Sequence, residues 1–439
     1  MTISELYSLF LKHPAVTTDS RNCPPDSLFF ALKGESFDGN AYAKDALRAG
    51  CAYAVVDDAA VVTDNRMILV DNVLYALQQL ARTHRKTLGI PVIGITGTNG
   101  KTTTKELTAA VLSQKYNTLY TLGNLNNHIG VPLTLLRLTG EHEIAVIEMG
   151  ANHPGEIGEL SAIACPDYGL ITNVGYAHLE GFGSLEGVIK TKGALYDFLR
   201  ETNGTVFIHR DNEYLTGIAG ALNQITYGTM KLPCEDHPFE EKTLFVGGAT
   251  TGIHPCLSFR WQHGQNEVYT VQTKLVGDYN LWNALAAVAI GVNFNVPHEK
   301  INEALANYEP TNNRSQLKKT ERNELIIDAY NANPSSMHAA LHNFAAMTGS
   351  PKAVILGDMR ELGEKSAELH AMVIQQIEVC DFDRVLLCGE QFANAGQQYA
   401  CFPTVEKLNE YLETNPLQGY HILIKGSRGI RLEKTIDLL

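Results

Sequence analysis

The sequence predicts an α/β protein of three units. These are a small N-terminal α/β domain over residues 1–83, a central domain over 84–309 built on a doubly wound parallel sheet with a phosphate loop (P-loop), and a Rossmann-like C-terminal domain over 310–439. Three observations carry this reading. A strand, a glycine-rich loop and a helix follow one another across 90–112. Apolar runs that end in polar residues alternate with helix-period stretches on both sides of residue 309. A polar, proline-marked stretch, Glu309-Pro310-Thr311-Asn312-Asn313-Arg314-Ser315, separates the two series as a linker. A chain of 439 residues is long for one core and fits two to three domains.

In the first unit, 27–32 and 52–56 read as strands, and 42–49 reads as a helix ended by Gly50. The polar loops Asp19-Ser20-Arg21 and 33–40, the latter including Asp38, Gly39 and Asn40, lie at strand ends where ligands are often held. On their residues alone, ordinary turns account for both. The stretch 73–88 reads as a helix closed by Gly89 and Pro91, and it leads into the apolar strand 90–93.

The next residues are Gly94-Ile95-Thr96-Gly97-Thr98-Asn99-Gly100-Lys101-Thr102-Thr103. Gly97 and Gly100 lack a Cβ, so the backbone can curl and offer N–H groups to phosphate oxygens. The start of the following helix adds partial positive charge at the same spot. Lys101 can reach β- and γ-phosphates, and the Thr102 hydroxyl can hold Mg²⁺. Ile95 occupies the place of the first glycine of the strict Gly-x4-Gly-Lys-Ser/Thr spacing, with Gly94 and Gly97 flanking it.

Further on, 143–150 and 168–174 read as strands with polar residues toward their carboxyl ends, the edge where such sheets bind ligands. Glu148 falls beside the phosphate loop if the two strands are neighbours. Glu148, His178 and Lys192 follow the loop in order. Glutamate and histidine suit a hard divalent ion that also touches phosphate, whereas the ammonium of a free lysine repels it. A hairpin is expected from 257–261 and 267–272 around His263-Gly264-Gln265, and a helix over 281–292. Asn280 and Asn283 share one face of that helix. Asn280 fits a cap, and Asn283, a poor helix former, points to a ligand.

Beyond the linker, strands are expected at 325–328, 353–358, 384–389 and 421–426, with helices over 335–347, 367–379 and 405–414. In Asp328-Ala329-Tyr330-Asn331-Ala332-Asn333-Pro334-Ser335, Ser335 fits a helix cap, but the other polar residues exceed what a cap needs. Lys425, Ser427 and Arg428 end the last strand; the two cations suit a carboxylate or phosphate, or else a surface turn.

The net charge of −13 argues against nucleic acid as the main partner. Eight cysteines without a C-x-x-C pair favour reduced thiols and a cytoplasmic location. The first residues lack a signal peptide's basic start and apolar core, and the longest apolar run, 281–294, is too short to insert in a membrane.

Together these motifs resemble the Mur ligase family of cell-wall synthesis, in family order along the whole chain. The 97–103 loop is shared with that family and its folylpolyglutamate synthetase relatives. The stretches 127–134, 178–184, 328–337 and 357–364 are similar to the branch that adds D-alanyl-D-alanine. The resemblance implies an ATP-dependent amide ligase acting on UDP-N-acetylmuramoyl-tripeptide and D-Ala-D-Ala through an acyl phosphate, expected to work as a cytoplasmic monomer. It implies ATP contacts from Gly97, Thr98, Asn99, Gly100, Lys101, Thr102, Thr103, Asn283, Arg314, Asp328, Tyr330 and Asn331. It implies Mg²⁺ binding by Thr102, Glu148, His178 and Lys192, the last carbamylated with CO₂ and so an anionic donor. His178 is also a possible proton acceptor, beside Lys101 and Lys192 as catalytic groups. Ser20, Arg21, Asp38, Gly39 and Asn40 match the region that takes the UDP end, and Lys425, Ser427 and Arg428 the dipeptide side. Asn40 stands where the family often has histidine, Asp26 where glycine is common, and Ala329 where threonine or aspartate is frequent. The alternatives are another Mur-type or folylpolyglutamate-type ligase, or a P-loop nucleotide-dependent binding switch.

Overall fold

Local signals set several helices of this computed structural model, which describes residues 1–176, 179–230, 244–253, 255–264, 267–311 and 313–439. The helix Val73–Leu88 starts where the Asn72 side chain accepts a bond from the Tyr75 amide, and stops at Gly89, whose φ of +65° only glycine adopts without strain. The helix Val405–Thr414 has Thr404 as its cap. Two local expectations need correction. Asn280 is the first residue of the helix Asn280–Asn293 rather than its cap; its side chain instead ties back to the Val276 carbonyl. Asn333, not Ser335, caps the helix Pro334–Ala346, in a reciprocal box with Ser336, and Pro334 takes the first-turn place that needs no N–H.

Among the described residues the strands form three sheets. The first holds β1 (Val16–Thr17), β2 (Leu28–Phe30), β3 (Tyr53–Val56) and β4 (Met67–Leu69), all parallel and in sequence order. Asp26, just before β2, has φ +63°, the left-handed conformation that favours glycine. The second sheet holds β5 (Val92–Thr96), β6 (Thr118–Tyr120), β7 (Ile144–Glu148), β8 (Tyr168–Ile171), β9 (Thr205–His209), β10 (Asn223–Thr229), β11 (Val246–Ile253), β12 (Cys256–His263) and β13 (Tyr269–Val276). Its order is 13-12-11-10-9-8-5-7-6, parallel from β6 to β11 and antiparallel through β12 and β13. The expected hairpin is the β12–β13 pair, although Gln265 of its turn lies outside the described residues.

The third sheet holds β14 (Gln316–Lys319), β15 (Glu324–Asp328), β16 (Lys352–Gly357), β17 (Arg384–Cys388), β18 (Ala400–Phe402) and β19 (His421–Lys425), in the order 14-15-19-16-17-18. Only β14 runs antiparallel. The edge strands do not announce themselves: β14 has one apolar residue in four, and β18 is only three residues long. The α/β class and the parallel sheets are as the sequence predicts.

β5 lies between β7 and β8, with Ile95 opposite Glu148. The phosphate-loop helix Lys101–Leu112 packs against the apolar helix Asn280–Asn293, whose Leu285, Val288 and Ile290 are fully buried with Leu107 and Val111. At Gly291 a Cβ would lie 2.5 Å from Val111, so the two helices approach at a glycine. No helix among the described residues is long and apolar enough to cross a membrane.

Candidate active site

The loop after β5 has the conformation its glycines permit. Gly97 has φ +145°, and a Cβ there would lie 1.9 Å from Thr172 Oγ1; Gly100 has φ +78°, and a Cβ would lie 2.5 Å from Asn283 Oδ1. The end of β8 supports the loop. The Thr98 amide donates to the Asn173 carbonyl at 2.9 Å, and the Asn99 amide to Asn173 Oδ1 at 3.0 Å. The Thr172 hydroxyl and Asn173 Nδ2 donate to the Asn99 carbonyl at 2.6 and 3.0 Å. The helix begins at Lys101, so its first-turn amides, including those of Thr102 and Thr103, have no intrahelical acceptor. Lys101 folds back over the loop, its Nζ donating to the carbonyls of Gly97 at 2.8 Å and Thr98 at 3.0 Å. Burial pushes the Lys101 ammonium down to about 8, Glu148 opposing and Arg314 reinforcing the shift.

Because β7 neighbours β5, Glu148 reaches the loop. It is 1% exposed, and its Oε1 accepts from Thr102 Oγ1 at 3.1 Å and Asn126 Nδ2 at 2.7 Å. Among the described residues its Oε2 is buried with no hydrogen-bond partner. An orphaned carboxylate oxygen beside a threonine hydroxyl is a hard oxygen donor set, and it fits a divalent cation. Among the described residues no three His, Cys, Asp or Glu side chains form a ready cluster. His178 lies outside the described residues. Lys192, on the helix Leu185–Glu201, is 1% exposed, its Nζ 5.5 Å from the Phe182 ring centroid. Burial, and after it the charge of Lys101, depresses its ammonium to about 7.

The third sheet supplies the opposite wall. Lys425 is buried and ion-paired with Asp328 across the ends of β19 and β15. The Arg314 guanidinium lies 3.9 Å from the Tyr330 ring centroid and that of Arg428 lies 5.4 Å away, so two cations flank one ring. Asn99 bridges the two units: its Nδ2 donates to Ser335 Oγ at 3.0 Å, and its Oδ1 accepts from Asn333 Nδ2 at 2.8 Å. Between the walls is a cavity of about 890 Å³ lined by residues 98–103, Glu148, Asn283, Arg314, Asp328, Tyr330, Asn331 and Lys425.

Other expected residues lie apart from this cavity. Ser427 is buried, accepting from the Arg360 amide at 2.9 Å, while Arg428 is exposed. Neither lines the cavity, nor does Lys192 or any of Ser20, Arg21, Asp38, Gly39 and Asn40. Arg21 grips its neighbour Asp19 through two 2.9 Å bonds. Asn40 is 2% exposed, its Nδ2 donating to Asp38 and Asp57 at 2.8 Å and its Oδ1 accepting from the Asp57 amide at 3.0 Å. It therefore braces its loop against the end of β3. At Gly39 a Cβ would lie 2.4 Å from the Leu32 carbonyl.

The cavity also holds residues without a role in the sequence reading: Asn126, His209, Asp211 and Trp282. The strand-end rule that locates Glu148 also applies to His209, which ends the apolar β9.

Residues 14–85 match the Mur ligase family catalytic domain, 95–291 the Mur ligase middle domain, and 313–428 the Mur ligase glutamate ligase domain. The chain is similar to the UDP-N-acetylmuramoyl-tripeptide--D-alanyl-D-alanine ligase of Escherichia coli (strain K12), at 37% identity over 99% of this chain and 95% of that protein. Crystal structure I of MurF from Acinetobacter baumannii aligns with a TM-score of 0.85 at 29% identity, covering 97% of this chain and 93% of that one. The MurF ligase of Thermotoga maritima in complex with ADP aligns with a TM-score of 0.84 at 26% identity, covering 98% and 97%. With a match of this length in both sequence and fold, the chain belongs to the Mur ligase family.

Proposed function

We propose that this chain is an ATP-dependent amide ligase that joins D-alanyl-D-alanine to UDP-N-acetylmuramoyl-tripeptide in peptidoglycan precursor synthesis. The observation that carries the reading is the phosphate loop opening into a cavity whose far wall is the cationic edge of the third sheet. Full-length similarity to ligases of that name and to an ADP-bound relative supports it.

The γ-phosphoryl group of ATP passes to the terminal carboxylate of the tripeptide. The bond to ADP breaks and an acyl phosphate forms. The dipeptide amine attacks the acyl carbon, and the tetrahedral adduct expels phosphate. First-turn amides and Lys101 bind the phosphates and offset their charge. Thr102 and Glu148 would hold Mg²⁺, joined by His178 and by Lys192 as a carbamate; when bound, the ion neutralises charge on the β- and γ-phosphates. A desolvated Lys192 amine, neutral in part near pH 7, is the form that reacts with CO₂. His178 is the candidate acceptor for the amine proton. Asn283, Arg314, Asp328, Tyr330 and Asn331 surround the nucleoside. In the proposed division, residues 1–83, including Ser20, Arg21, Asp38, Gly39 and Asn40, take the UDP end. Residues 84–309 hold ATP. Residues 310–439 close over it and present Lys425, Ser427 and Arg428 to the dipeptide. Closure keeps water from the acyl phosphate. The enzyme works as a cytoplasmic monomer.

Phosphate release by the purified protein tests the reading. Release should require ATP, UDP-muramoyl tripeptide and D-Ala-D-Ala together. Release that needs folate would make it a folylpolyglutamate-type ligase, and release with ATP alone a nucleotide switch. Mass spectrometry of the intact protein in bicarbonate should show one added CO₂, absent from Lys192→Ala.

A further inference from the structure

At the end of β9 the cavity wall has an unmet hydrogen-bonding capacity that the phosphate chemistry does not use. His209 is 7% exposed; its Nε2 faces the Asp211 carboxylate, and among the described residues its Nδ1 is buried without a hydrogen-bond partner. Its ring stacks on Tyr227, with centroids 5.5 Å apart at 9°, and tilts against Trp282 at 5.4 Å. Trp282 Nε1 is likewise buried and, among the described residues, unpartnered. His209, Asp211 and Trp282 all line the cavity that the phosphate loop opens into. A buried polar atom left unpaired in a cavity wall marks a place where a ligand completes the bond.

Asn283, expected to contact ATP, is already engaged. Its Oδ1 accepts from Thr104 at 3.0 Å, and its Nδ2 donates to Asn280 at 2.9 Å. The unsatisfied groups are on the residue before it, Trp282, and on the His209 ring packed against it. Asp211 is fixed by the Thr229 amide and hydroxyl, both at 2.7 Å, and its Oδ2 lies 3.5 Å from His209 Nε2. That carboxylate favours the proton on Nε2, which leaves Nδ1 as an acceptor. Trp282 can only donate. An acceptor and a donor beside aromatic faces complement a heteroaromatic edge that carries an exocyclic amino group next to a ring nitrogen.

We propose that His209 and Trp282 form the base-reading edge of the nucleotide cavity, His209 Nδ1 accepting from the 6-amino group of adenine and Trp282 Nε1 donating to a ring nitrogen. The proposal rests on the reading of the chain as an ATP-dependent ligase. It assigns His209 as a specificity determinant rather than a catalytic residue.

The test compares ATP with purine riboside triphosphate, which keeps the ring and lacks the amino group. With the natural enzyme, KM for the analogue should exceed that for ATP by about tenfold, the loss of one good hydrogen bond in a buried site, with kcat within about twofold. In His209→Phe, KM for ATP should rise to that of the analogue, so the ratio falls to about one, while KM for both peptide substrates holds. Trp282→Phe should raise KM for both nucleotides alike. An unmodified enzyme that treats the two nucleotides equally would overturn the proposal, as would a folded His209→Phe that keeps the tenfold preference. If His209→Phe does not fold, the comparison in the natural enzyme and in Trp282→Phe decides. Nucleotide affinity measured by calorimetry separates this proposal from the ligase reading. Preference for ATP without ligation would sink the activity and keep the base readout, and ligation without preference would do the reverse.

Discussion

Replacing Gly100 by alanine tests whether the phosphate loop and the helix Asn280–Asn293 form one packed unit. A side chain at φ +78° incurs the left-handed penalty, roughly 1–2 kcal/mol. The new methyl would also lie 2.5 Å from Asn283 Oδ1 and 3.1 Å from its Cγ and Nδ2, so the carboxamide must move. Moving it breaks the bonds to Thr104 at 3.0 Å and Asn280 at 2.9 Å, each worth about 1 kcal/mol. Gly100→Ala should therefore destabilise by about 3–4 kcal/mol. Asn283→Ala alone should lose about 2 kcal/mol through the same two bonds. In the double variant the clash is gone and its bonds are already lost, so the total should stay near 3–4 kcal/mol rather than the sum of about 5–6. Denaturant unfolding followed by tryptophan fluorescence reads this out, since both tryptophans, Trp261 on β12 and Trp282 on the helix, belong to the central unit. Losses that simply add, to within about 0.5 kcal/mol, would show that loop and helix do not share this contact.

Asn99→Ala should uncouple the phosphate loop from the third unit, because it removes both side-chain bonds to Ser335 and Asn333. At about 1 kcal/mol each, the arrangement that makes these bonds should weaken by about 10- to 30-fold, seen as a larger radius of gyration in X-ray scattering and a raised KM for ATP; unchanged values for both would refute the coupling. Acid should destabilise the protein through His84, His209 and His370, whose pKa values burial depresses. The unfolded chain takes up protons near pH 6.5 while the folded chain does not, so stability is full above that pH and falls as pH drops through it. The denaturant midpoint should decrease between pH 7 and 5.5, and His370→Gln should flatten the slope; a midpoint independent of pH would contradict the burial argument.

What was legible in the sequence is what short-range chemistry sets. Val73–Leu88 needs only an asparagine before it, a glycine after it and an apolar face between. The phosphate loop needs two glycines, a strand and a helix within one stretch. Glu148 was legible one step further out, because a polar residue ending an apolar strand marks the ligand edge of a parallel sheet. The same rule covers His209, but β9 lies two strands from β5 in the sheet, and strand order is not written locally.

Asparagine and serine roles were the least legible, since their short side chains bond whatever the fold brings near. Asn280 serves the Val276 carbonyl instead of a helix end, Asn40 braces Asp57, and Asn99 meets Ser335 across 236 residues of sequence. The sequence by itself determined the α/β class, the nucleotide-binding loop, the order of the motifs and the family they belong to, because each rests on residues close together in the chain. Only the tertiary structure decided which carboxylate oxygen is left unpaired, which lysine is stripped of water and which rings of the cavity wall keep a buried nitrogen without a partner. Burial and pairing depend on neighbours that come from other strands, and sheet order and helix packing alone choose those neighbours.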